Sequence, residues 1–282
     1  GSIELYQAKT DDMLQQRNFP VTSGVTNPYV QNIGKTENKG LELTLSGDVI
    51  ESKKEGGFSW SLDVNYFVNR EEITQLADTI TMDVNNGWFV GHPMDVIYDY
   101  RKLGIWQLGE ETAATTAGNF VPGDIKLEDR NANGTLDALD RQILGTLQPK
   151  WQGGLTSRFT FMGFDLSVVM YARMGGMLVS TLYQANISNP INSLEGRRSG
   201  PKVDYWTDSN PTNAFPRPGM GQVPFGPGNG SSLGYYDASY MKIRSINLGY
   251  SLPTKWMGRT GINSLRVYLT TQNPFKAFFS DY

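Results

Sequence analysis

The sequence predicts an all-β chain, an antiparallel sheet whose strands cross a lipid bilayer, and three observations predict it. Segments of strict apolar/polar alternation recur along the chain. No run of about 18 apolar residues exists, so no transmembrane helix is possible, although barrel strands alternate and escape that criterion. The connections between alternating segments are long and short in turn, the rhythm of a barrel with long external loops and short periplasmic turns. The 31 glycines, 14 tyrosines and 13 phenylalanines suit many turns and many amphipathic strands.

Residues 2–8 alternate weakly, with Ile3 and Leu5 opposite Glu4 and Tyr6. A polar span, 9–39, follows and is broken by Pro20, Gly24 and Pro28. In 40–46, Leu41, Leu43 and Leu45 take one face and Glu42, Thr44 and Ser46 the other. A charged turn at 51–57 leads into the cleanest strand, in which Phe58, Trp60, Leu62, Val64 and Tyr66 oppose Ser59, Ser61, Asp63 and Asn65. Its length and its aromatics near both ends match a barrel strand of about 9–11 residues. The ordinary alternative is a sandwich strand with one wet face.

Residues 70–150 hold no strand of that quality, and 98–107 reads as loop structure. Residues 153–161 and 164–173 form a hairpin over Met162-Gly163, with Phe164, Leu166, Val168 and Met170 opposing Asp165, Ser167 and Tyr171. After an irregular span, 174–237, the segments 240–250 and 265–271 complete the set, joined by 252–264. Parity places 51–57, 162–163 and 252–264 in the periplasm and the loops 9–39, 70–150 and 174–237 outside the cell. Seven strands cannot close a single-chain barrel of even number. Residues 1–282 therefore read as one segment of a barrel domain, with a further C-terminal strand and further sequence before Gly1 expected.

Within the second long loop, Asp129, Asn131, Asn133, Gly134, Thr135, Asp137 and Asp140 fall at positions one, three, five, six, seven, nine and twelve of an EF-hand-type calcium loop. A hard cation wants six to eight oxygens; alternate side chains of a curled loop supply them, Gly134 makes the sharp turn and Thr135 offers its carbonyl. The candidate metal ligands are Asp129, Asn131, Asn133, Thr135, Asp137 and Asp140, and the cofactor expected is structural calcium. Asp140 is shorter than the usual glutamate, so it reaches less far. A solvated turn rich in Asp, Asn and Gly is the plain alternative. The short 125–128 segment before the loop and Pro149 after it disfavour helix–loop–helix packing.

The charge balance, 25 basic and 28 acidic residues, leaves a net charge of −3 and no basic stripe for a nucleic acid. Absent cysteines exclude disulfides, thiolate metal sites and a cysteine nucleophile, and the single histidine, His92, excludes histidine-cluster sites. Carboxylate pairs such as Asp95/Asp99 or Asp137/Asp140 form no acid/base constellation, so no enzyme is expected.

Several stretches together resemble a known family. Glu37-Asn38-Lys39-Gly40-Leu41-Glu42-Leu43 after Asn32-Ile33-Gly34, Pro122-Gly123-Asp124-Ile125-Lys126 with the 129–140 loop, Gly163-Phe164-Asp165-Leu166-Ser167, Leu248-Gly249-Tyr250-Ser251-Leu252-Pro253 and Ser264-Leu265-Arg266-Val267-Tyr268 resemble, in family order, SusC/RagA-type TonB-dependent outer-membrane transporters. The resemblance implies the C-terminal portion of a 22-stranded barrel plugged by an N-terminal domain that these residues do not include. It implies a SusD-like surface lipoprotein as partner, energy from TonB, outer-membrane lipid around the strands, and import of oligosaccharides or peptides in Bacteroidota. Aspartate at position twelve of the calcium-like loop is usual in that family.

In such a transporter, Trp88, Tyr98, Tyr100, Trp106, Tyr205, Trp206, Tyr235 and Tyr236 are candidate contacts for substrate or partner, since aromatics join a large apolar face to low entropy cost. Packing of the loops against one another uses the same property. The rival function is a soluble calcium-binding β-sandwich that holds carbohydrate on aromatics; it requires hydrophilic outer faces.

Overall fold

Alternation becomes pairing. The computed structural model describes residues 1–17, 24, 29–77, 80–183, 202–217, 232–257, 262 and 264–280. In chain order its strands are β1 (Ser2–Arg17), β2 (Tyr29–Ile50), β3 (Ser59–Gln75), β4 (Met82–Asp83), β5 (Trp88–Phe89), β6 (Val96–Asp99), β7 (Lys102–Ile105), β8 (Ile125–Leu127), β9 (Gln142–Thr146), β10 (Trp151–Phe161), β11 (Phe164–Met174), β12 (Met177–Val179), β13 (Tyr235–Asp237), β14 (Tyr240–Ser251) and β15 (Arg266–Phe278), with helix α1 (Glu111–Gly118) between β7 and β8. Seven of them form one antiparallel sheet in the order β1-β2-β3-β10-β11-β14-β15. Each of the seven alternating segments of the sequence supplies one of these strands.

The registers stack the alternating residues into rows. Leu45 pairs with Val64, Val64 with Leu155, Leu155 with Met170, Met170 with Ile243 and Ile243 with Phe275. Four residues away along β3, β10 and β11, Trp60, Phe159, Leu166, Leu248 and Leu269 make a second row. This face is bare at many points: Leu5 is 80% exposed and Leu269 66%. Exposed apolar area on this scale demands a nonaqueous neighbour. Between these rows Ser157, a polar side chain on the same face, accepts the Trp60 indole N–H at 2.9 Å. Aromatics mark both ends, with Trp60 stacked on Phe159 at 5.8 Å and Tyr66 against Trp151 at 5.6 Å. Phe58 and Tyr66 stand eight steps apart, about 26 Å along a strand rising about 3.3 Å per residue, which suits tilted strands in an apolar band about 25 Å tall.

The opposite face is polar and held by ion pairs. Asp63 pairs with Arg158 across neighbouring strands. Arg266 grips Asp165 through Nε at 2.9 Å and Nη2 at 2.5 Å, a two-pronged contact. It spans β14 at Gly249, where a Cβ would meet Asp165 Oδ1 at 2.5 Å. Tyr6 lies over Gly40 in the same way and donates to Asn69 Oδ1 at 2.9 Å. At the hairpin between β10 and β11, Met162 (φ 49°) and Gly163 (φ 87°) both take positive φ, as a type I′ turn requires.

Two expectations change. The 9–39 span is strand over much of its length, because β1 runs on to Arg17 and β2 begins at Tyr29, with bulges around Asp11 and Asp12. Backbone ladders satisfy themselves whatever the side chains, so the strands continue where alternation stops. The two-layered sandwich does not form: the seven strands share one sheet with an exposed apolar row. As expected, 98–107 stays out of that sheet, contributing to the short pairs β6/β9 and β7/β8. Residues 18–23 and 25–28 of the 9–39 span, 184–201 and 218–231 of the 174–237 span, and most of 258–263 lie outside the described residues.

The face assignment gives a test. Leu62→Arg in the bilayer-assembled protein is expected to cost about 2–4 kcal/mol near the midplane, measured by reversible denaturant unfolding in lipid. Ser46→Arg, on the polar face beside Asp63, is expected to cost far less; equal costs would contradict the assignment.

Candidate functional site

The chain divides into two units, one holding the large sheet and the other comprising Asp95–Leu147 and Met177–Tyr236. The second unit, which sequence periodicity left irregular, has its own core of Tyr100, Ile105, Trp106, Ala114, Phe120, Ile125, Leu127, Leu136, Trp206 and Leu233. In β8, Ile125 and Leu127 point into it while Lys126 turns outward, lays its ammonium 4.3 Å from the Trp106 ring centroid and pairs with Glu110 at 2.7 Å. That contact from Lys126, with a second from the Gln107 N–H, holds the Glu110 carboxyl below the usual range. Helix α1 buries Ala114 and ends on Asn119 in the left-handed region (φ 59°).

The Pro122-Gly123-Asp124 turn ties the unit together. Gly123 has φ +89°, and a Cβ there would meet Trp206 at 2.6 Å and Arg217 at 2.7 Å, so glycine is required on both counts. Its N–H donates to the Trp106 carbonyl at 2.7 Å. Asp124, 3% exposed, accepts the Val121 N–H at 3.0 Å and the Arg217 Nε–H at 3.0 Å. A buried carboxylate needs such partners.

The calcium-like loop is a strand–loop–strand device between β8 and β9. Asp129 accepts the Asn133 and Gly134 N–H groups at 3.2 and 2.7 Å; Asn131 and Asn133 accept those of Asn133 and Thr135 at 2.9 and 2.8 Å. Asp137 accepts the Leu139 N–H at 2.7 Å. Asp140 is fully buried and accepts the Arg130, Asn131 and Asp137 N–H groups at 3.0, 3.4 and 2.8 Å. Gly134 takes φ +84° with open space around it, so the sharp turn alone selects glycine there. Each of these bonds uses one lone pair and leaves others on the same oxygens available, and oxygen donors are the chemistry a hard cation takes. Among the described residues, no group of three or more His, Cys, Asp or Glu is placed to hold a metal; the loop's donor set is mixed, with amides and the Thr135 carbonyl.

The eight aromatics separate by burial. Tyr100, Trp106 and Trp206 belong to the core, with the Trp206 indole N–H donated to Gln107 at 2.9 Å. Tyr235 donates to Asp99 at 2.7 Å. Tyr98 carries the Arg141 guanidinium 5.2 Å from its centroid, and Tyr236 packs on Tyr183 at 5.7 Å. Trp88 sits in β5 of the sheet unit, paired with Asp83 of β4. Only Tyr205 among the eight is exposed, at 45%. These residues form no single surface.

Sequence reasoning passed over Lys102 of β7. Its ammonium donates to the Ala214 carbonyl at 2.5 Å and lies 6.0 Å from the Phe215 centroid; burial pushes its pKa down to about 8. A single lysine in an aperiodic stretch gives no sequence signal.

Residues 1–273 match the family model described as "TonB dependent receptor-like, beta-barrel". TonB-dependent receptor P3 of Formosa agariphila is 29% identical over 294 aligned positions, covering the whole chain and 28% of that protein. The TonB-dependent receptor SusC of Bacteroides thetaiotaomicron is 30% identical, over 98% of the chain and 26% of that protein. The chain thus spans less than a third of the curated relatives it matches. A solved structure of the RagAB peptide transporter superposes with a TM-score of 0.70 at 21% identity, covering 99% of the chain and 30% of that one, a likeness of fold.

Because the folded pKa of Lys102 lies below its ordinary 10.5, the charged amine costs the fold below pH 8, and that cost fades as pH rises from about 8 to 10.5. Lys102→Met is expected to stabilise this unit by about 1–2 kcal/mol at pH 7, a figure reduced from about 1.4 kcal/mol per pKa unit for partial exposure to water. Slower amide exchange at Ala114, Phe120 and Leu136 would report it; faster exchange would contradict it.

Proposed function

Because this chain belongs to the TonB-dependent receptor-like β-barrel family, we propose that it is a C-terminal portion of the barrel of an outer-membrane active transporter. The observation that carries the reading is the single sheet with a bare apolar row on one face and the Asp63–Arg158 and Asp165–Arg266 pairs on the other. Such a sheet suits acyl chains outside and a hydrated lumen inside. Its edges, β1 and β15, carry backbone groups that hydrocarbon cannot satisfy, so strands outside these residues close the barrel.

The whole protein imports oligosaccharides or peptides, energised by TonB, with a SusD-like lipoprotein over its mouth; no catalytic step is part of this reading. SusC among the relatives and the RagAB peptide transporter among the structural neighbours support it. The connections within 9–39, 70–150 and 174–237 face the exterior, where the second unit, with its exposed Tyr205, meets cargo or partner. Calcium occupies the 129–140 loop through oxygens of Asp129, Asn131, Asn133, Thr135 and Asp137, with Asp140 bracing the loop's amides as well as facing the ion. External calcium is abundant enough for a weak site.

Copurification from native membranes is expected to recover a surface lipoprotein with the full-length receptor, and collapse of the proton-motive force is expected to abolish cargo uptake. Uptake that persists without it, with no lipoprotein recovered, would sink the transporter reading. Calorimetry of the full-length protein is expected to show calcium binding that weakens at least about tenfold in Asp129→Ala; identical titrations would sink the calcium assignment.

A further inference from the structure

In the second unit, a cleft of about 420 Å³ opens between β7, β9, β12 and β13, within the usual range for small-ligand pockets. Its walls include Lys102 and Arg101, Tyr100 and Tyr235, the Gln142 amide and the thioether of Met177. Among the described residues, two cations line it and no carboxylate does. The nearby acids are engaged: Asp99 accepts from the Tyr235 hydroxyl at 2.7 Å and the Tyr100 N–H at 2.8 Å, and Glu128 accepts from Gln142 Nε2 at 2.6 Å. Arg101 reaches Glu128 at 3.8 Å and is 62% exposed, so most of its fork remains available. Lys102 has a neutral carbonyl, that of Ala214, as its hydrogen-bond acceptor, which leaves two ammonium protons for another partner.

We propose that this cleft binds a carboxylate, with Lys102 as its charge partner, Arg101 as a second donor at the rim and Met177 packing the ligand's apolar portion. A desolvated cation without a counter-ion costs the fold, and an anionic ligand offsets that cost. The carboxylate arrives on cargo, either a peptide's free carboxyl or a uronic acid of a glycan, and in naming cargo this proposal rests on the import reading. Lys102 loses its charge near pH 8, while the Tyr100 hydroxyl stays neutral, its pKa raised by burial. Carboxylate binding therefore weakens as pH rises through that value.

The test is calorimetry on the full-length receptor with N-acetyl-alanyl-alanine against its amide, and with a glucuronate disaccharide against its neutral counterpart. One acid is expected to bind at least about tenfold tighter than its uncharged partner at pH 7 and to lose about tenfold of that advantage by pH 9; which acid it is identifies the source. Lys102→Met is expected to abolish the preference and Lys102→Arg to retain part of it. Acid and neutral ligands binding alike, or a preference indifferent to pH or to Lys102→Met, would overturn the proposal. The pH comparison uses the unaltered receptor and decides the matter even if the methionine variant does not assemble. Failure here with uptake and partner recovery intact leaves the transporter reading standing.

Discussion

Hydrocarbon offers no hydrogen bonds, and the rest of this structure depends on that. A chain in acyl surroundings must pair every backbone N–H and C=O within itself, and the seven-stranded ladder does so for the strands between its two edges, β1 and β15. Side chains are then free to sort by face. The rows through Val64, Leu155 and Met170 on one side, and the pairs Asp63–Arg158 and Asp165–Arg266 on the other, are the two consequences of one ladder between lipid and water.

The stretches that carried the family resemblance turn out to be structural joints. Asp165, Gly249 and Arg266 come from three separate stretches of sequence and meet in one contact, the guanidinium reaching the carboxylate over a residue with no Cβ. Gly123 and Asp124 do the same for the second unit, receiving Trp206 and Arg217 from about 90 residues away. Glu37, 8% exposed, gathers Lys39 at 2.5 Å and Lys9 at 3.7 Å where the β1–β2 ladder leaves its apolar rows. A motif of this kind speaks of geometry before it speaks of cargo.

The legibility of the sequence follows the same physics. Lipid on one face and water on the other impose a period of two, so the seven sheet strands could be read, down to the Met162-Gly163 turn. Past the apolar rows that pressure ends, and the outer lengths of β1 and β2 were invisible although their pairing continues. The second unit was illegible because its core joins residues distant in sequence, Trp106 with Trp206 and Ala114 with Leu233. Aromatics there could not be sorted either: Trp106 and Tyr205 look alike in sequence, yet one fills a core and the other is exposed. The 129–140 loop was legible because its template is local, every one of these donors and acceptors lying between Asp129 and Asp140. Lys102 was not, since its significance lies in a cleft assembled from four strands.

Successive residues of one strand see lipid and water in turn. These residues contain no cysteine, so single Ser167→Cys and Val168→Cys variants of the full-length barrel in lipid, with any cysteine elsewhere in the full-length protein replaced, can each carry one spin label without background. Relaxation by oxygen, which partitions into acyl chains, against relaxation by a water-soluble nickel chelate should give an apolar signature at Val168 and an aqueous one at Ser167, the sign reversing between neighbours. The same signature at both positions would contradict the account.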